Sequence, residues 1–409
     1  MSENPNLASV AEQNQKLLSD KSIVDMIKGA FKTNIRQYTM VLALMSIWII
    51  FEFLTDGIFI TPRNLSNLFL QCAAIAIAAC GMVLVMVAGH IDLSVGSFVG
   101  FTGAIAAVLM VKVDMGTIPT LLIVLAVGLL LGLWQGFWVA YRQVPAFIVT
   151  LGGLLAFRGG VLKVTGGNSI APMNDAFKAI GQGYLPKITD LPFNDTSALI
   201  GVIFIICFIV MELRKRKSRL KYGFNVLPWS LQVAKIIGGS LLIAVVIGIM
   251  ASYMGIPYAI LLLIAIIVIL TIIAQKTSFG RYVYAIGGNR EAARLSGINI
   301  KKTNLLIFVL MGIMATIAGI VYTARINAAT GGGGSNLELD CIAAAVIGGT
   351  STLGGEGTIA GCVIGALVMG SIDNGLQLMN MDPSWQYIIK GLILILAVWV
   401  DIATRKKSA

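Results

Sequence analysis

Gly331-Gly332-Gly333-Gly334-Ser335-Asn336-Leu337-Glu338-Leu339-Asp340-Cys341-Ile342-Ala343-Ala344-Ala345-Val346-Ile347-Gly348-Gly349-Thr350-Ser351-Thr352 holds a short apolar run, 341–349, between two glycine-rich stretches. A membrane crossing takes about 20 apolar residues, so this run decides the topology only together with its neighbours. The 409-residue chain is 57% hydrophobic and 12% charged, against about 25% charged in soluble domains, which makes it a membrane protein. Its mean hydropathy of +0.88 agrees. Longer apolar runs predict spans near 39–54, 66–88, 93–111, 118–140, 145–163, 197–213, 232–252, 256–274, 303–323, 358–379 and 386–402.

Basic residues set the sidedness. Lys16 to Arg36, Arg214 to Lys221, Lys276 to Lys302 and Arg405 to Lys407 form four clusters, and the positive-inside rule puts all of them on one side. Without a crossing at 341–349 the total would be eleven, and the basic C-terminus would fall outside. The expected fold is therefore an all-α polytopic bundle of about twelve crossings, one of them a half-helix with irregular backbone at both ends. Such backbone is tolerated at membrane depth where protein or a water-filled path covers it, as in the broken helices of transporters. The other reading of these glycines is close helix packing.

The net charge of +11 describes orientation rather than a nucleic-acid partner. Residues 1–38 are expected to be a cytoplasmic tail without a cleaved signal. In it Ile23, Met26, Ile27, Ala30, Phe31 and Ile35 keep helical spacing beside Lys21, Lys28, Lys32 and Arg36, which suits a helix on the inner leaflet or a cap on a partner. Residues 39–404 are the expected membrane domain, with 275–302 as a cytoplasmic loop and 405–409 as a second cytoplasmic tail. Cys72, Cys80, Cys207, Cys341 and Cys362 stand singly, which reads as packing rather than a metal site or disulfide. Asn67 to Cys72 resembles Asn336 to Cys341, but the predicted topology runs both in the same direction, so chance matching in a biased composition accounts for the likeness at least as well as an inverted repeat.

Few residues could carry chemistry. No GxxxxGK[ST] occurs, so the chain has no P-loop of its own, and no cofactor or metal is expected in it. The only histidine, His90, has no second imidazole to join it. Asp92 and Ser94 read as caps of the following span or as a gate. Arg158 falls within an apolar run; Asp373, Asn374, Glu338 and Asp340 lie beside others, each a cap, an interhelical pair or a functional group. No carboxylate sits deep in consecutive spans as a proton relay would require. The loop 165–196 is long enough to dock an external protein or to act as a lid.

Gly287-Gly288-Asn289-Arg290-Glu291-Ala292-Ala293-Arg294-Leu295-Ser296-Gly297 reads as a short capped helix. Asn289 is the N-cap, Glu291 favours the positive dipole end, Ala292 and Ala293 are helix formers, and Gly297 is the stop. A helix this short is marginal in water, so its order comes from a partner's groove or from the membrane body. It is expected to transmit motion from an ATPase on a separate chain, through Asn289, Arg290, Glu291, Ala292, Ala293, Arg294 and Gly297.

Thr61 to Leu68, Gly89 to Ser97, Val144 to Gly152, Phe279 to Gly297 and Ala345 to Ser351 together resemble the permease subunits of bacterial ATP-binding-cassette importers for monosaccharides. The resemblance implies a type II importer fold in the bacterial cytoplasmic (inner) membrane, with both termini inside. The implied partners are an ATPase subunit carrying ATP and Mg, a periplasmic or lipid-tethered sugar-binding protein, a second permease copy and membrane lipid. It also implies that Glu291-Ala292-Ala293 and Gly297 match the coupling motif. Asp92, Ser94, Thr150, Arg158, Asn327, Gly348, Gly349 and Thr350 are the candidates for a substrate path. Arg214 to Val233 and the apolar length beside it depart from shorter members and look closer to xylose or multiple-sugar permeases. The competing classes are a single-chain sugar or ion porter, a channel or scaffold, and an importer permease for a nucleoside, a furanose signal or a branched-chain amino acid.

Overall fold

The computed structural model describes residues 23–224 and 226–405. The outer parts of both expected tails, 1–22 and 406–409, lie outside the described residues, as do the side chains of 23–38 that carry the expected amphipathic face. The described chain is helical. Its helices are α1 (Ile23–Leu54), α2 (Pro62–Val87), α3 (Val95–Ala107, continued as π-helix Val108–Lys112), α4 (Thr117–Ala140), α5 (Ala146–Thr165), α6 (Asp175–Gln182), α7 (Asp195–Lys221) and α8 (Trp229–Ala251). There follow α9 (Tyr258–Lys276), α10 (Ser278–Gly288), α11 (Arg290–Leu295), α12 (Ile300–Ile326), α13 (Leu337–Ile347), α14 (Ile359–Leu378) and α15 (Pro383–Arg405). Among the described residues nine helices are long and apolar enough to cross a membrane, and 39–54 and 383–399 are shorter apolar helices. With the half-helix α13 these make the twelve expected crossings.

The chain divides into two compact units. In the smaller, Leu185–Ile256 folds α7 and α8 into an antiparallel hairpin. Asn194 caps α7 by accepting from Ser197 N at 2.9 Å, while Ser197 Oγ accepts from Ile256 N at 2.8 Å. At the far end Lys235 reaches Glu212 at 2.7 Å, and Arg216 lies over the Trp229 ring.

The larger unit, Thr39–Tyr184 with Pro257–Ala409, is built around α2 and α12. Helix α2 is apolar all round and almost wholly buried, as a helix with no polar face must be. Helix α12 runs antiparallel to α4, with Gly136, Gly132 and Gly128 of α4 meeting Leu305, Phe308 and Thr316 in turn. One face of this unit carries the charged α10–α11 segment; the opposite face carries the start of α2 and the end of α12. On that opposite face the expected long loop contains α6, which lies across the end of α12, with Gln182 Nε2 donating to Arg325 O at 2.7 Å. Tyr184 and Pro257 are joined there by an antiparallel bridge.

Two segments turn back into the bundle. After α2 ends at the charged face, 88–94 returns inward before α3 begins. Thr102 and Val99 of α3 pack on Gly319 and Gly103 on Thr323, so Val95, one turn earlier, stands level with the middle of α12. After α12 ends at the opposite face, 327–336 returns inward in the same way before α13. There Cys341 lies against Ile75, midway along α2, and α13 then runs to the charged face. The two halves thus repeat one motif, full helix, extended return and inward-starting helix, in opposite directions. The expected span over 93–111 is present as α3 with its π-helical continuation, Val95–Lys112, long and apolar enough to cross, and its first turn stands level with the middle of α12. The repeat lies in these elements, not in the pair of segments compared in the sequence.

Candidate functional site

The two returning segments meet. Gly96 in the first turn of α3 faces Gly334 and Glu338 at the start of α13; a Cβ on Gly96 would stand 2.5 Å from Gly334 O and 2.0 Å from Glu338 Oε2. Two helix N-termini, both positive ends of peptide dipoles, therefore converge at mid-depth. A carboxylate accompanies each, Asp92 before α3 and Glu338 in the first turn of α13, which offsets the like-signed dipole ends.

Asp92 is fully buried and accepts from Ser94 N at 2.8 Å and Ser94 Oγ at 2.6 Å. Ser94 Oγ in turn accepts from Gln135 Nε2 at 2.7 Å. Ser94 is the N-cap of α3 by position but makes no side-chain cap bond; Asp92 bonds its backbone N–H instead. Thr150 Oγ1 donates to Ile91 O at 3.3 Å, tying α5 to the same return. The structure thus brings Asp92, Ser94 and Thr150 together and adds Gln135, which the sequence reading passed over.

Arg158 lies further along α5, half-buried, and its Nη2 donates to Ser335 Oγ in the other return. The remaining path candidates lie elsewhere. Asn327 is at the opposite face in a left-handed conformation, where its Oδ1 accepts from Met173 N at 3.0 Å and fixes the long loop. Gly348, Gly349 and Thr350 are at the charged-face end of α13, with Gly348 packed on the Cys362 backbone and Thr350 fully buried.

Between α13, α14 and α15 sits a second charged group. Lys390 Nζ is 3.0 Å from Asp340 Oδ1 and 2.7 Å from Asp373 Oδ2, binding three helices together. Asn374 and Asn64 also exchange bonds of 2.8 and 3.1 Å between α14 and α2. Asp340, Asp373 and Asn374 are thus interhelical pairs, one of the readings open for them. Lys390 was missed because a single lysine inside an apolar run looks like a break in it.

At the charged face, α11 is six residues long. Asn289 Oδ1 accepts from Ala292 N at 2.9 Å, as an N-cap should, and Gly297 follows the helix with φ +81°. Only Ala293 is buried. Glu291 and Arg294 pair with each other while both stay about two-thirds exposed, and Leu295 is 81% exposed. Most of α11 is therefore open surface. The end of the preceding helix α10 is fixed tightly: Gly355 N donates to Val87 O at 2.8 Å, and Gly287 fits against that carbonyl so closely that a Cβ would lie 1.6 Å from it. Tyr284 OH donates to Gly357 O at 2.7 Å, and burial holds its pKa above the usual phenol value. His90 lies next to Phe308, 5.9 Å between ring centroids. The α10–α11 segment thus touches both the end of α2, where the first return starts, and the 348–357 loop that follows α13.

A helical bundle with two returning segments that meet at mid-depth, and an open charged helix joined to both, has the anatomy of a membrane permease. The comparisons with known proteins agree. Residues 64–398 match the model of the branched-chain amino acid transport system / permease component family, and the chain belongs to that family. It is 42% identical over 384 residues to the xylose transport system permease protein XylH of Escherichia coli K12, covering 93% of this chain and 95% of the relative. The XylH of Haemophilus influenzae is 42% identical over 374 residues, 91% of this chain and 98% of its own. The ribose import permease protein RbsC of Escherichia coli K12 is 32% identical over 345 residues, 84% and 87% of the two chains. No solved structure matches.

Proposed function

We propose that the chain is the permease subunit of an ATP-binding-cassette importer that passes a monosaccharide, xylose-like in the first instance, across the bacterial cytoplasmic membrane. The observation that carries this is the 42% identity to a xylose permease over 93% of the chain. It is not an enzyme; ATP and Mg belong to a partner ATPase. The further partners are a sugar-binding protein outside and a second copy of the permease. The charged face is cytoplasmic, and both tails lie on that side.

The open surface of α11, formed by Arg290, Glu291, Ala292 and Arg294 between Asn289 and Gly297, receives the ATPase. Motion of α10–α11 reaches Val87 and the 348–357 loop, through contacts too close to slip. The two returns, with Asp92, Ser94 and Thr150 framing one and Arg158 bonded to the other, then change access as rigid pieces, because packed helices switch between arrangements rather than stretch. The second copy covers the side where Arg158, Ser335 and Asn336 reach the surface, since such groups are costly against hydrocarbon.

The test is the complex isolated from its native membranes and reconstituted in vesicles. Uptake of a monosaccharide should require both ATP and the binding protein, and Glu291→Gln should lower sugar-stimulated ATP hydrolysis while the separate ATPase keeps its rate. Uptake driven by an ion gradient with no ATP would establish the secondary porter instead. The family's name points to one other cargo, a branched-chain amino acid, and competition of uptake by excess L-leucine would reveal it.

A further inference from the structure

The Asp340–Lys390–Asp373 group does more than a sealed clamp requires. A cavity of about 180 Å3 lies against it, lined by Asn336, Leu339, Asp340, Met369, Tyr387 and Lys390 among others. It opens on the chain's surface at Leu339, 40% exposed, and Tyr387, 58% exposed. Asp340 and Lys390 give this mostly apolar lining a polar floor able to bond water or polar cargo.

We propose that this cavity is a contact site for a neutral monosaccharide on its way through the permease; the idea rests on the permease reading above. The chemistry of the lining selects that class. Asp340 is the carboxylate that lines the cavity, and its bonds to one ammonium leave it acceptor capacity for a hydroxyl donor. The Asn336 amide can donate and accept, and the Tyr387 ring with Leu339 offers an apolar surface for the C–H side of a sugar ring. Two carboxylates to one ammonium leave a surplus negative charge, so sugar acids and sugar phosphates are repelled. An amino acid would bring its own carboxylate to the same surplus. Position fits as well: Asn336 directly precedes α13, next to Ser335, to which Arg158 bonds.

Saturation-transfer NMR on the purified full-length chain in detergent tests the site, with D-xylose, D-ribose and D-galactose as neutral probes and D-xylonate and L-leucine as charged ones. At least one neutral sugar should give a saturable signal and the charged probes none. Leu339→Trp, which fills the cavity and leaves the ion group in place, should abolish the signal. Asp340→Asn should weaken binding at least tenfold. The site is refuted if no neutral sugar binds, if Leu339→Trp binds as the native chain does, or if xylonate binds as well as xylose. ATP-driven uptake by the reconstituted complex separates the two ideas. Uptake without binding here removes the cavity site alone; absence of uptake for every monosaccharide removes the permease reading.

Discussion

The two returning segments have the same geometry and opposite construction. The first, 88–94, is held by side chains: Asp92, Ser94 and Gln135 form a closed and buried chain of bonds, and Thr150 adds another. The second, 327–336, has four consecutive glycines among its ten residues; it is tied at its start by Asn327 and the Ala329–Ile170 bridge, while Ser335 and Gly332 are exposed with Arg158 reaching across to it. The difference teaches that the halves of an inverted repeat need not share a task. The first return is fixed by buried side-chain bonds, and the second leaves polar groups open at the surface.

Substitutions can break that contrast, and the largest effect is expected where the two segments touch. Gly334→Val places a Cβ 2.1 Å from Gly96 O, at a residue whose φ is +73°. It should lower stability by more than about 2 kcal/mol, since overpacking and backbone strain add. Thermal unfolding and yield of the purified chain measure this. Asp92→Ala comes next, leaving the Ser94 N–H and hydroxyl without an acceptor in a buried site, at about 1–3 kcal/mol. Arg158→Gln should change stability by less than about 1 kcal/mol, because the group is half-exposed, yet lower uptake several-fold. Equal destabilisation by Asp92→Ala and Arg158→Gln would show that both returns are frames. Smallest of all is Arg294→Gln, within about 0.5 kcal/mol in thermal unfolding, because the carboxylate it pairs with among the described residues is exposed.

Sequence reading reached the second return and missed the first for a physical reason. At 331–352 the apolar run is too short to cross and glycine flanks it, so the charge balance forced the half-helix into view. At 93–111 the run is long enough to cross by itself, and a segment as short as 88–94 reads as an ordinary connection. Depth is a property of neighbours, here Gly319 and Thr323, and no local pattern encodes it. The caps of α11 were legible because Asn289 and Gly297 act on their own backbone. The partners of Asp340 and Asp373 were not, since Lys390 lies in another helix.

The bridge between Tyr184 and Pro257 carries a consequence for how chains of differing length arise. Tyr258 N also donates to Gly183 O at 3.0 Å, so the polypeptide leaves the larger unit and rejoins it at a single point. The α7–α8 hairpin is topologically a removable insert. Splicing Tyr184 to Pro257 through a short linker would remove α7 and α8 without reversing any helix that remains.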